Sequence, residues 1–269
     1  SDLTGNMLLD LALNLDAHLP DFAYFLPQAM TLNGRAKGTA NARIRLDDLT
    51  EMRLEKGKIS ADLDLTDIHY AMDSMVADLP KTHATLQLPN PKPSKPKVNW
   101  VRIDLTTDKL DFAMATPLKA ALKASDIQLE AGNVLSKDPV LYAAVGLQTE
   151  RPVEVAMDSM GGTVNAPKLK LYAEYNSKDT VGLTKAEAAL ACASLDGFYT
   201  DTKAKLGKAQ LEASMTAGKR LSAKLKTDAL KAQMGEELKA QTANLAIEAS
   251  ARYNKNGANA LLKWNPRLK

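Results

Sequence analysis

The sequence predicts an all-β protein whose strands pair mainly in the antiparallel sense. Apolar and polar residues alternate along most of the 269-residue chain. Turn-forming pairs such as Asn-Gly, Lys-Gly and Gly-Gly interrupt this alternation at intervals. The apolar positions hold mainly Leu, Ala, Ile, Val and Met, and aromatic residues make up only 5% of the chain. Strands with one apolar and one polar side are typical of antiparallel sheets, whereas buried parallel strands are apolar on both sides.

The alternation is clearest in GKISADLDLTDIHYAM, residues 57–72. Ile59, Leu63 and Leu65 fall on one side of the predicted strand, and Asp62 falls on the other. Each such segment is therefore predicted to have one dry face and one wet face. The same pattern recurs in residues 7–16, 33–46, 101–105, 168–175 and 220–227.

Two segments depart from this pattern and could contain a short helix. Residues 20–27, PDFAYFLP, are continuously apolar or aromatic, and we interpret them as an irregular or short helical plug. Residues 184–195 are rich in Ala, and Thr184 with Glu187 matches a helix capping box. Ala186, Ala188 and Leu190 nevertheless alternate with polar neighbours, which favours a strand, so both alternatives stay open.

A Thr-acidic pair recurs about every 40 residues. It occurs at Thr66-Asp67, Thr107-Asp108 and Thr149-Glu150, at steps of 41 and 42 residues, and a degenerate copy begins at Thr227. Fixed periods of this length are the signature of repeat proteins. We therefore predict repeats of about 40 residues with three strands of about nine residues each. Chance spacing within an ordinary β protein is the alternative.

Composition and charge exclude several classes. Hydrophobic residues make up 45% and charged residues 25%, which argues against disorder. The net charge is only +3 and no basic cluster is present, so no nucleic-acid partner is expected. No apolar run reaches the ~20 residues of a membrane-spanning helix. The abrupt ends lead us to expect a single β-repeat domain, residues 1–269, cut from a longer protein, with residues 89–97, PNPKPSKPK, as a loop between repeats.

Candidate catalytic groups are sparse. His18, His69 and His83 have no metal-ligand spacing, and we interpret His69 and His83 as strand-surface residues. Cys192 has no partner cysteine and falls on the apolar side, which is typical of an inert buried thiol. The glycine pairs near residues 34 and 161 do not form a complete phosphate-binding motif. We therefore predict no enzymatic activity, no metal and no cofactor.

The aliphatic dry face allows two interpretations. Two sheets could close face to face as a thin sandwich, because small Ala side chains permit close approach. Alternatively, a curved sheet could leave its aliphatic face open to hold the acyl chains of a lipid.

A family resemblance favours the second interpretation. The string LTEMRLEKGKISADLDLTDI, residues 49–68, resembles the AsmA-like family of Gram-negative envelope proteins, and residues 33–50 and 117–132 share its rhythm. The resemblance covers about residues 30–255. It implies an elongated, twisted, taco-like β-groove in the periplasm, anchored in the inner membrane, that carries phospholipid in outer-membrane biogenesis. It also implies outer-membrane assembly proteins as partners, and it brings no catalytic residues.

We thus predict an all-β groove whose lining holds or conducts phospholipid or other acyl chains. A non-catalytic structural or assembly module with a closed core is the alternative. A further possibility is that an exposed edge strand pairs with a client strand. The lining candidates are Ile59, Leu63, Leu65, Ile103, Leu105, Phe112, Leu129, Leu169, Leu171, Leu221 and Leu225.

Overall fold

The computed structural model describes residues 7–25, 28–51, 53–114, 118–134, 138–179, 182–235, 238–254 and 257–267. It is all-β, with 76% of residues in strands, and all seventeen strands belong to one sheet. Within the described part, α-helix is limited to Leu46–Thr50, and short 3-10 helices cover Leu19–Phe25 and Leu54–Lys56. The predicted all-β class and the short helical plug near residue 20 are therefore confirmed.

The strands are long and run in alternating directions, because each pairs antiparallel with its neighbours. Their bounds are β1 (Leu8–His18), β2 (Met30–Arg45), β3 (Lys58–Met72), β4 (Met75–Leu88), β5 (Val101–Met114), β6 (Leu118–Gly132), β7 (Val140–Thr149), β8 (Val153–Met157), β9 (Met160–Asn165), β10 (Lys168–Asn176), β11 (Leu183–Cys192), β12 (Ser194–Tyr199), β13 (Thr202–Leu206), β14 (Ala209–Thr216), β15 (Arg220–Met234), β16 (Leu238–Asn254) and β17 (Gly257–Arg267). Residues 183–192 form a strand, so the alternation outweighs the helical propensity of alanine there.

Ten of these strands close into an antiparallel barrel, which overturns the predicted open, taco-like groove. From β6, one series of ladders runs through β7, β10, β11 and β14 to β15. A second series returns from β15 through β13, β12, β9 and β8 to β6. We call these series the first and second bands. Strands β1–β5 extend the sheet beyond β6, and β16 and β17 extend it beyond β15.

A kink separates the two bands at the same level in successive strands. Asp67, Ala124, Ala166 and Asn244 occupy the left-handed region there, with φ between 44° and 52°. Non-glycine residues seldom adopt this conformation within a strand. The chain passes directly from β7 to β8, β9 to β10, β11 to β12 and β13 to β14 across this level. β6 and β15 continue through it and join the bands on both sides.

Buried hydroxyl groups follow the kink and satisfy its backbone. Thr107 and Ser125 are each only 1% exposed, and Thr82, Thr149 and Thr227 are also buried. The Thr107 hydroxyl donates to the carbonyl of Lys109 at 2.7 Å, and the Thr149 hydroxyl lies 2.9 Å from the carbonyl of Ala124. Since an unpaired buried polar group is costly, these bonds compensate for ladder bonds that the kink removes.

The Thr-acidic repeat marks this kink and does not mark strand ends. Thr107 lies inside β5, Thr149 lies where β7 passes into β8, and Thr227 lies inside β15. A step of about 40 residues therefore covers two long strands and their hairpin. The prediction of three strands of about nine residues per repeat is wrong, because a polar Thr-acidic pair resembles a turn although it lies within a strand.

Residues 89–98 form a strap that packs on the polar face of the first band. Val98 is completely buried and packs with Ala144 and Tyr172. Lys97 lies 4.8 Å from the ring centre of Tyr142, and Lys95 lies 4.2 Å from that of Tyr172. The predicted loop is thus confirmed as a loop, but it is docked onto the sheet through aromatic and ionic contacts.

Candidate functional site

The most extensive surface feature is an apolar face formed by the first band and its neighbouring strands. Residues directly opposite in adjacent strands share a face of the sheet. One such row runs from β3 to β16 and contains only Leu, Ile and Ala. Its members are Leu63, Ala84, Leu105, Ile127, Leu147, Leu169, Leu190, Leu211, Leu225 and Ile247.

Ten of the eleven predicted lining residues share this face. Leu63, Leu105, Leu169 and Leu225 belong to the row just described, and Leu65 lies beside it in the row of Thr82 and Thr107. A second parallel row holds Ile103, Leu129 and Leu171, and a third holds Ile59 and Leu221. Phe112 is separate from them, because it lies beyond the kink in the row of Ala77, Ala120 and Val155.

The apolar face is accessible to solvent. Leu171 is 39% exposed, Leu211 is 40% exposed and Leu221 is 44% exposed, and each of the other predicted lining residues is partly exposed. The total accessible area is 17799 Å². A compact protein of this mass would expose about 11,000 Å². Ring closure by hydrogen bonds therefore leaves the aliphatic side chains without a covering second layer.

Two cavities adjoin the sheet on different surfaces. A cavity of about 390 Å³ lies on the apolar face and is lined by Val145, Leu171, Ala188, Met215 and Leu221, among other residues. A cavity of about 1190 Å³ follows the second band across nine strands. It is bordered by small residues such as Ala120, Gly162 and Ala204, by Phe112 and Phe198, and by lysines and carboxylates. Its volume exceeds the ~300–1,000 Å³ range of ordinary ligand pockets.

Ion pairs cover the opposite, polar face. Arg35 donates to Asp16 through Nε at 2.7 Å and through Nη2 at 2.8 Å, and this bidentate bond lowers the pKa of Asp16. Lys185 donates to Glu187 at 2.8 Å and Lys95 of the strap also donates to Glu187. These two bonds lower the pKa of the Glu187 carboxyl. The two faces of the band therefore differ sharply in polarity.

Strap residues also bind a buried carboxylate. Glu130, whose side chain is 1% exposed, accepts a hydrogen bond from the backbone N–H of Ser94 at 3.0 Å and another from the Ser94 hydroxyl. Lys97 lies 3.3 Å from Glu174, which accepts a 2.9 Å bond from the Tyr172 hydroxyl. Burial, and then this bond, raises the pKa of Tyr172. Sequence analysis missed this network, because neither the Pro-rich segment nor isolated glutamates indicate which residues become neighbours.

The groups considered for chemistry are dispersed. The Cys192 thiol is buried and its pKa is raised by burial. His69 bonds Asp78 at 2.6 Å, and His83 bonds Asp64 at 3.1 Å, both on exposed or partly exposed strand surface. Among the described residues, no group of three His, Cys, Asp or Glu side chains is placed to hold a metal ion. None of the helices in that part of the chain is long and apolar enough to span a membrane.

Fold and site thus define an antiparallel all-β protein with an extensive aliphatic face and a docked polar strap. Comparison with known proteins adds no relative: no family model, no curated protein and no solved structure matches the chain.

Proposed function

We propose that the protein is a non-catalytic lipid-binding module that holds the acyl chains of a phospholipid, or of another acyl-chain lipid, against its apolar face. The observation that carries this proposal is the row of aliphatic side chains shared by β3 to β16, which remains open to solvent. Contiguous exposed apolar surfaces of this extent mark interaction or ligand-binding sites in soluble proteins.

The energetics of acyl-chain burial suit such a face. Each CH₂ group removed from water contributes about 0.8 kcal/mol. A chain of a dozen such groups would therefore gain roughly 10 kcal/mol before the cost of ordering it. Leu, Ile and Ala offer no polar group that would favour one lipid headgroup, so the face is suited to acyl chains as a class. The charged opposite face keeps the loaded protein soluble.

The resemblance to AsmA-like proteins supplies the cellular setting of the proposal. We propose a periplasmic location, with the full-length protein anchored in the inner membrane, and a role in outer-membrane biogenesis or lipid homeostasis. Polar strand surfaces on one side and an aliphatic surface on the other suit a protein that shields acyl chains between two membranes.

The experiment uses neighbouring residues that point to opposite faces. Leu65→Asp with Leu105→Asp places two carboxylates on the apolar face. The matched control is Thr66→Asp with Thr106→Asp, which alters the exposed polar face of the same strands. Lipid extracted with each purified protein is quantified by mass spectrometry, and uptake of a fluorescent fatty acid is titrated.

We expect lipid in the wild-type and control proteins and a loss of roughly tenfold or more in the apolar-face variant, because a charge among acyl chains is strongly unfavourable. Absence of both extracted lipid and fatty-acid uptake in the wild-type protein would refute the proposal. Equal losses in the two variants would also contradict it, since the effect would not depend on the face.

A second candidate function is the assembly role, which the edge of the sheet favours. Within the described residues β1 pairs only with β2, so its other edge presents unpaired backbone groups over eleven residues. Such an edge can accept a strand from an unfolded outer-membrane protein. A photo-crosslinker at Asn14 on β1 should then capture the client, whereas one at His83 on the internal strand β4 should not. Equal capture at both positions would exclude strand addition.

A further inference from the structure

Methionines are concentrated in one row at the turn end of the second band. The row of direct cross-strand partners contains seven of the ten methionines in the chain. They are Met30, Met72, Met75, Met114, Met157, Met160 and Met234. The other rows of the sheet contain mainly Leu, Ala or polar residues, so this concentration distinguishes one end of the structure.

Four of these thioethers are immediate neighbours. Met30 on β2 is the register partner of Met72 on β3, Met72 is the partner of Met75 on β4, and Met75 is the partner of Met114 on β5. Partners in adjacent strands point to the same face, with Cβ atoms about 4.5–5.5 Å apart. Three flexible Met side chains at this spacing can direct their sulfur atoms at a single point between them.

The surroundings of the four sulfurs are apolar and half-buried. All four Met residues are partly exposed. Two positions along each strand, on the same face, lie Leu32, Tyr70, Ala77 and Phe112. The Tyr70 hydroxyl donates to Met72 Sδ at 3.3 Å. The row itself contains no carboxylate or imidazole among these four strands, so its only metal-binding atoms are neutral, polarisable sulfurs.

From this arrangement we infer that Met30, Met72, Met75 and Met114 form a binding site for a soft monovalent cation, Cu(I). Thioether sulfur selects Cu(I) over cations that prefer oxygen, such as Mg²⁺ and Ca²⁺. The apolar neighbours limit access of water to the ion. This site is independent of the proposed lipid binding, because it lies beyond the kink from ten of the eleven residues of the lipid-binding proposal.

Other members of the same row provide a matched control. Met157 and Met160 are also register partners, on β8 and β9, and are 41% and 39% exposed. Their further partners in the row are Leu118 and Tyr199, so no third thioether adjoins them. A pair of exposed thioethers without a third should bind Cu(I) more weakly than the run of four.

The test measures anaerobic competition for Cu(I) between the whole chain and a chromogenic chelator. We expect one tight Cu(I) per chain, a loss of roughly tenfold or more in affinity for Met72→Leu with Met75→Leu, and little change for Met157→Leu with Met160→Leu. Met→Leu conserves volume and should leave the fold intact, which circular dichroism checks. As a second readout, Ag(I) should shift the methyl NMR signals of the four Met residues. No tight binding, or equal weakening in both double variants, would overturn the site.

Discussion

Thr82 and Thr107 lie opposite each other on β4 and β5, and the Thr82 hydroxyl donates to the Thr107 hydroxyl at 2.8 Å. Both residues are buried, at 2% and 1% exposure. Thr107 in turn donates to the carbonyl of Lys109, so a chain of hydroxyl bonds connects the two strands to the kink. This relationship shows that the kink is held by specific polar contacts, and it leads to the first prediction.

Thr107→Val should destabilise the protein by about 1–3 kcal/mol, because the substitution leaves buried carbonyl groups and the Thr82 hydroxyl without a partner. The control is Thr106→Val on the same strand, where an exposed hydroxyl bonds Asp126 at 2.9 Å. That change should alter stability by less than about 0.5 kcal/mol. Urea unfolding followed by circular dichroism measures both, and equal stability of the two variants would contradict the structural role of the hydroxyl row.

Gly132→Ala should release the strap. A Cβ atom at Gly132 would overlap the carbonyl oxygen of Lys97, so the strap or the strand must move, at a cost of about 1–3 kcal/mol. Gly146→Ala is the control, because its added Cβ would meet only the Cβ of Gln128 at an ordinary 3.5 Å.

Release of the strap is measured by trypsin cleavage at the Lys97–Val98 bond. The wild-type protein and Gly146→Ala should resist cleavage, since Val98 is completely buried. Gly132→Ala should be cut faster. Similar rates in all three proteins would show that the strap is not held by this close contact.

Acid should weaken the strap through Glu187. Hydrogen bonds from Lys185 and then Lys95 hold its pKa below the ordinary value of 4.5. A group whose pKa is depressed by folding stabilises the folded state above its unfolded pKa, and this contribution disappears as the pH falls through the lowered value. The trypsin sensitivity of the strap should therefore rise below about pH 4.5 in the wild-type protein, and this is tested by brief acid exposure followed by pulse hydrogen exchange of Val98.

Glu187→Gln removes this titrating carboxylate and serves as the comparison. Its strap should exchange faster than that of the wild-type protein near neutral pH and should change less on acidification. If the pH dependence of exchange at Val98 is identical in the two proteins, Glu187 does not control the strap.

Cys192 should react slowly with alkylating reagents in the folded protein. It is 6% exposed, and burial raises the pKa of its thiol, so the reactive thiolate is scarce at pH near 8. Iodoacetamide labelling followed by mass spectrometry should show little modification under native conditions and rapid modification in urea. Rapid native labelling would show that the β11–β14 region opens readily.

Much of the strand arrangement was predictable from alternation alone. Residues such as Leu63, Leu105 and Leu169, nearly 40 or more residues apart, were predicted to share a face and are found in one cross-strand row. This succeeded because the side-chain period of a strand is two, whatever its partners are. The same reasoning identified residues 183–192 as a strand despite their alanine content.

The closure of the barrel was not predictable in this way. Alternation defines which side of a strand is apolar, but it contains no information about which strands pair around a ring. The kink added a second error, because its Thr-acidic pairs resemble turns. The apolar positions of β3 change from odd to even numbers across Asp67, from Leu63 and Leu65 to Ile68 and Met72. This phase change within one strand reads as the boundary between two strands.

The strap shows a third limit of sequence analysis. Proline and lysine at this density are typical of a solvated loop, yet Val98 is completely buried beside Tyr172. Its docking depends on Glu130, Glu174 and Glu187, which come from three different strands. Such contacts between distant parts of the chain leave no periodic signal.

The two-strand step of the Thr-acidic pattern constrains how a chain of this type can change in length. Because neighbouring strands run in opposite directions, loss of one strand would reverse the direction of every later strand and move its kink out of line. Gain or loss of a whole hairpin keeps both direction and kink in place. Duplication and deletion during evolution should therefore have proceeded in units of about 41 residues, with each unit bringing its own buried hydroxyl.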